Sequence, residues 1–103
     1  MPDKILSPDL KVACEIWHYQ SIGERVWFTK LVESLSWCMD KDTISNSLDT
    51  LTDWCVVYGG YGETHDGRSG WLLFIDTQNN HIIKELYETC WKHERHDEPN
   101  YVW

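Results

Sequence analysis

The stretch from Asp40 to Trp54, DKDTISNSLDTLTDW, constrains this chain more than any other part of it. Ile44, Leu48 and Leu51 recur at spacings of four and three, and Trp54 stands three further on. Side chains spaced this way share one stripe of an α-helix, because a turn takes about 3.6 residues. The other side carries Thr43, Ser45, Asn46, Ser47 and Thr50, all small, polar and uncharged. Asp40 stands where an N-cap acceptor belongs, and Asp42 suits the positive end of the helix dipole. Such a helix is held from behind by a core and presents a hydrogen-bonding front to something else.

The residues before it read as support. Ser7-Pro8-Asp9 is a helix start, with a cap, a proline at the first position and an acid in the first turn. Leu10, Ala13, Cys14 and Trp17 form one face of that helix, and Val12, Ile16 and Tyr19 form a second. Two apolar faces require two packing partners. Gly23 ends the helix. Glu24 to Phe28, ERVWF, favours one small strand. Thr29 then caps a second helix of about two turns, with Leu31, Val32 and Leu35 facing inward. Ser36 to Met39 turn the chain, with Trp37 and Met39 filling the corner.

After Trp54 the period changes from helix to strand. CVVYGGYG and WLLFID favour extended backbone, and the polar loop between them holds the turn dipeptide Asp66-Gly67. They predict a hairpin over about 55–76. Ile82, Ile83, Leu86, Tyr87, Cys90 and Trp91 predict a final helix over about 78–92, capped by Asp76 or Thr77. The tail, 93–103, loses periodicity, although Tyr101, Val102 and Trp103 are apolar enough to dock back. No repeat or linker divides residues 1–103, so one domain is expected.

A short helix, a turn, a polar-fronted helix and then a Gly-rich hairpin resemble the winged helix-turn-helix domain of small bacterial and archaeal transcriptional regulators. The likeness rests on TISNSLDTLTDWCVV followed by YGETHDGRSGWLLFI, and it covers residues 24–76. It implies an α+β fold, with a three-helix core, a β-hairpin wing and an additional C-terminal helix. The helix-turn-helix would span about 29–54. In such proteins the third helix enters the major groove of duplex DNA and the wing meets backbone or minor groove. By position, Thr43, Ser45, Asn46, Ser47 and Thr50 are then groove-facing. Asn46 offers one donor and one acceptor, which match an adenine edge. His65 and Arg68 fall in the wing, and Lys30 and Lys41 are placed for phosphate. The family often has a basic residue where Asn46 stands and a glycine where Cys55 stands.

Charge bears directly on that expectation. The chain has nine basic and seventeen acidic residues, a net of −8. Glu24 to Ile75 alone holds four basic and eight acidic residues, a net of −4. Few cations are available to release counterions, so nonspecific attraction to phosphate is weak and specificity falls to the Thr/Ser/Asn face. The alternative is an acidic winged-helix module that binds protein instead of DNA. A third class is a sensor whose Trp- and Cys-lined pocket holds a small ligand or responds to redox. The second face of the first helix, Val12, Ile16 and Tyr19, and the wide last helix, with Ile83, Tyr87 and Trp91, either cover each other within one monomer or form the interface of a homodimer; the DNA reading favours the homodimer.

Other chemistry lacks a motif. GGYGETHDGRSG has no Lys-Ser/Thr ending and leads into a strand, so it is not a phosphate loop. His81, His93 and His96 do not define a metal site, no nucleophile motif is present, and neither enzyme activity nor a cofactor is expected. The start, MPDKILSPD, lacks an apolar segment, no run approaches a membrane span, and no CxxC pair occurs. These features predict a cytoplasmic protein with free thiols.

Overall fold

The computed structural model of the chain describes residues 6–63 and 69–95. Helix α1 spans Pro8–Ser21, and Ser7 Oγ accepts from Leu10 N at 3.3 Å to cap it. Gly23 ends it at φ 79°, where a side chain would be strained. The N–H groups of Gly23 and Glu24 return to Gln20 O and Tyr19 O at 3.1 and 2.9 Å, closing the last turn.

The small strand expected over 24–28 contracts to a single bridge. Trp27 pairs with Leu72, and Leu73 N donates to Val26 O at 2.9 Å. Helix α2, Phe28–Leu35, begins at once. Its N-cap is Trp27, which makes no side-chain capping bond, so Thr29 is not the cap but lies within the first turn. The bridge already fixes Trp27 in extended backbone, and that sets where the helix begins.

Helix α3, Lys41–Asp53, starts as expected, with Asp40 Oδ1 accepting from Thr43 N at 2.9 Å. Ile44 and Leu51 are buried and Leu48 is half-buried. Trp54 does not extend that stripe. It occupies the C-cap, where the backbone has left the helix, and is 62% exposed. Ser47 turns inward instead, at 3% exposure. It lies three residues past Ile44 and four before Leu51, on the face packed against α1, and its small side chain suits a close helix approach.

Strands β1, Val57–Glu63, and β2, Ser69–Ile75, form the antiparallel hairpin, in register from Val57 opposite Ile75 to Glu63 opposite Ser69. Gly59 and Gly62 make room for their neighbours: a Cβ on Gly59 would stand 2.0 Å from Trp71 Nε1, and one on Gly62 2.8 Å from Leu72 Cδ1. Asp66-Gly67, the predicted turn, lies outside the described residues.

The last helix starts later than predicted, at His81. Asp76 Oδ1 accepts from Gln78 N and Asn79 N at 3.2 and 3.4 Å, and Asn80 Nδ2 donates to Asp76 O at 2.8 Å. Those bonds hold the backbone in a turn and delay the helix. Helix α4, His81–Leu86, widens into a π-helical turn, Tyr87–Trp91, before α5, Lys92–Glu94. Tyr87 and Trp91 both reach the core. The start of the aperiodic segment is held: Arg95 N donates to Trp91 O at 2.9 Å, and its side chain is buried.

Together these elements make a winged helix of the α+β class. The expected dimer surface is absent from its exterior. Val12, Ile16 and Trp91 have 0% exposure, and Ile83 and Tyr87 have 2% and 7%. Tyr19 is half-buried beneath Lys30 and Arg95. The second face of α1 is covered by α4 and the π-turn of its own chain, so these six residues stabilise the monomer.

Candidate nucleic-acid interface

The outward strip of α3 runs through Asp42, Ser45, Asn46, Asp49 and Asp53, all exposed. Lys41 is exposed at the first helical position. Thr43 and Thr50 are half-buried at the edges of this strip. The Thr50 hydroxyl donates to Asn46 O at 3.1 Å, and its oxygen keeps acceptor capacity outward. Ser47 leaves the predicted set because it is inside. The hydrogen-bonding front is therefore narrower than the sequence implied: Ser45 and Asn46 at its centre, Thr43 and Thr50 beside them, and carboxylates above and below.

Those carboxylates differ in position. Asp40 is occupied by its cap, and hydrogen bonds from Thr43 hold its carboxyl below the usual aspartate range. Asp42 stands on the first turn, where the helix dipole favours an anion. Asp49 and Asp53 lie toward the C-terminal half.

Lys30 is not available for phosphate. Its Nζ donates to Glu24 Oε1 at 3.1 Å and to Arg25 O at 3.0 Å. The same ammonium sits 4.5 Å from the Tyr19 ring centroid and 5.2 Å from that of Trp27. These contacts satisfy the charge within the chain. His65 and Arg68, the predicted wing contacts, lie outside the described residues.

The hairpin carries aromatic pairs on both faces. Tyr61 and Trp71 meet edge to face at 5.1 Å, and Tyr58 stacks on Phe74 at 5.5 Å. Tyr61 is 80% exposed. The sequence reading assigned these rings no role. It also missed Glu15, Gln20 and Arg95, which brace the support. A charge inside the apolar run VACEIW was the available signal for Glu15.

The cysteines are separate free thiols. Burial, with Cys90 and Glu15 nearby, pushes Cys14 up to about 12, where the reactive thiolate is scarce. An open cleft of about 510 Å³ lies between the start of α1 and the α2–α3 turn, lined by Pro8, Ser36, Cys38, Met39, Asp40 and Thr43. Among the described residues its lining includes Cys38 but no tryptophan. Among the described residues no three His, Cys, Asp or Glu side chains converge to hold a metal ion, and no helix is long and apolar enough to cross a membrane.

No family model matches this chain, and no curated protein matches its sequence. Solved structures share its fold, two of them structures of Pex. The circadian clock associated protein Pex from Anabaena aligns with a TM-score of 0.63 and 12% identity, over 90% of this chain and 84% of its own. Pex from Synechococcus sp. strain PCC 7942 aligns with a TM-score of 0.60 and 17% identity, over 90% and 87%. At these identities the likeness is one of fold.

Proposed function

We propose that this chain is a small transcriptional regulator that binds duplex DNA, entering the major groove with the N-terminal half of α3. The observation that carries it is the outward exposure of Ser45 and Asn46 on the third helix of a winged-helix fold. Recognition helices contact base edges mainly through their N-terminal residues. In that pose Asn46 reads a base edge, Ser45, Thr43 and Thr50 supplement it, and Asp49 and Asp53 recede from the groove. Lys41 and the wing residues His65 and Arg68 supply the backbone contacts. The free thiols fit a reducing cytoplasm.

One observation favours a second reading. Asp42, Asp49 and Asp53 share the outward strip of α3, a charge pattern complementary to a basic protein surface.

A titration of labelled duplex over a range of salt separates the two. The DNA reading predicts binding to random duplex at low salt with a shallow slope, about −2 to −3, because only two or three cations neutralise phosphates. A duplex selected from a random library should bind more tightly. Failure to retain any duplex at low salt would overturn the DNA reading in favour of the protein partner. Complex stoichiometry reports whether one copy or two bind a site.

A further inference from the structure

We propose that Glu15 and Arg95 are positioning residues: through them the C-terminal end of the last helix sets where α2 lies and, through α2, how α3 is presented. The effect on binding rests on the DNA reading above. The effect on α2 does not.

Glu15 is 1% exposed, on α1 between Cys14 and Ile16. Its Oε1 accepts from Trp91 Nε1 at 2.7 Å and from Arg95 Nε at 2.9 Å. Its Oε2 accepts from Arg95 Nη2 at 2.5 Å and from the Ser34 hydroxyl on α2. One carboxylate thus gathers donors from α2, from the π-helical turn and from the residue just beyond α5. Tyr19, one turn further along α1, lies under Arg95, whose guanidinium carbon is 5.8 Å from the ring centroid. Trp37, in the turn between α2 and α3, stacks on Trp91 with centroids 5.7 Å apart and planes 17° apart.

Helix α2 depends on such contacts. It has eight residues and no side-chain cap, too short to persist without tertiary support. Withdrawing Arg95 leaves the Glu15 charge buried without its counterion, which is strongly destabilising and favours either a shift of the carboxylate toward water or its protonation. Ser34 and Trp91 share that carboxylate and move with it. The π-helical turn helps to place Trp91, because an extra residue per turn alters the phase of the helix. Neither partner can itself touch a duplex, since the Arg95 and Glu15 side chains are 5% and 1% exposed. A change in binding on substitution is therefore transmitted through orientation.

The test is amide exchange of residues 28–35 against that of the β1–β2 hairpin in the full chain, with duplex titration alongside. Ser34→Ala removes only the α2 bond and is the mild variant; Arg95→Met removes the counterion. Both should accelerate exchange in α2 relative to the hairpin, Arg95→Met by about tenfold and Ser34→Ala by about threefold, and weaken duplex binding by similar factors with an unchanged salt slope. Arg95→Lys, which keeps the charge but loses the fork, should recover part of each effect. Unaltered exchange in α2 overturns the proposal. So does equal acceleration of helix and hairpin, which would make the pair a support for global stability alone. Loosened α2 with unchanged duplex affinity overturns it as well. If the unsubstituted chain binds no duplex, the proposed function falls, and the exchange pattern by itself decides whether Glu15 and Arg95 position α2.

Discussion

The side-chain amide of Gln20 substitutes for a strand alongside Ile75. Its Nε2 donates to Ile75 O at 3.2 Å, and its Oε1 accepts from Ile75 N at 2.8 Å. Two residues earlier the same edge of β2 is bonded to backbone, by Leu73 N to Val26 O. Where the short N-terminal strand gives out, a glutamine on α1 continues the ladder. This ties the last turn of α1 to the base of the wing.

Gln20→Glu is the sharpest probe of that bond. It keeps size and one acceptor but sets an oxygen against Ile75 O. The expected loss is about 1–3 kcal/mol, the range for a buried group left without its partner. Urea unfolding at neutral pH measures it, and protonation of the new carboxyl at acid pH should recover part. An unchanged midpoint would show that the amide contributes nothing.

Cys55 sits at φ 63°, immediately after α3. Its N–H and that of Val56 return to Thr52 O and Leu51 O at 3.0 and 2.9 Å, so the geometry is the C-terminal closure that glycine normally serves. Cys55→Gly should stabilise the fold by about 1 kcal/mol, because left-handed backbone is unfavourable for a residue with a Cβ. For a domain of this size that is a rise in melting temperature of about 4–8 °C. Gly23→Ala is the mirror experiment: φ is 79°, nothing lies within 4 Å of the added Cβ, and the loss is conformational. A lower melting temperature for Cys55→Gly would remove the strain argument.

Asp40 and Asp76 both titrate below the usual aspartate value of 3.8, Asp40 through its bonds to Thr43 and Asp76 chiefly through Asn79. A carboxyl depressed by folding stabilises the protein fully above its unfolded value. That contribution disappears as pH falls through the folded value. Asn also caps helices but does not titrate in this range, so Asp40→Asn should flatten the limb along which stability falls as pH drops below the usual aspartate value. Melting temperature against pH for the two proteins gives the comparison. Parallel curves would assign the limb to other groups.

Asn46 and Ser47 are neighbours with opposite surroundings. Asn46→Ala should weaken binding to a selected duplex by about 1–3 kcal/mol and relax preference at one base position. Ser47→Ala should leave that affinity unchanged, since the hydroxyl is inside. Anisotropy titrations read both, and equal effects from the pair would contradict the proposed pose.

Local chemistry made much of the fold legible. Ser7, Asp40 and Gly23 act on backbone a few residues away, and the hairpin follows from a change of period that neighbouring residues determine. Element edges were read less well where a distant partner sets them. Trp27 fixes the start of α2 because it bridges to Leu72. The start of α4 was missed for a local reason, the turn that Asp76 builds from donors on the next four residues. At the candidate interface, helical spacing identified the polar side of α3. The same spacing puts Ser47 with Ile44 and Leu51, three and four residues away, but its polar side chain outweighed its position in that reading.

The sequence by itself determined where the chain bends, which segments are helix or strand, and that α3 has a small polar front. It did so because caps, turn residues and apolar period act over one or two turns of backbone. Only the tertiary structure decided that Val12, Ile16, Ile83, Tyr87 and Trp91 are filled from within one chain, and that Lys30 is already engaged. It alone brought Glu15 to Arg95, eighty residues away. Burial and ion pairing depend on what stands opposite a side chain in space, and that partner is fixed only when distant elements pack.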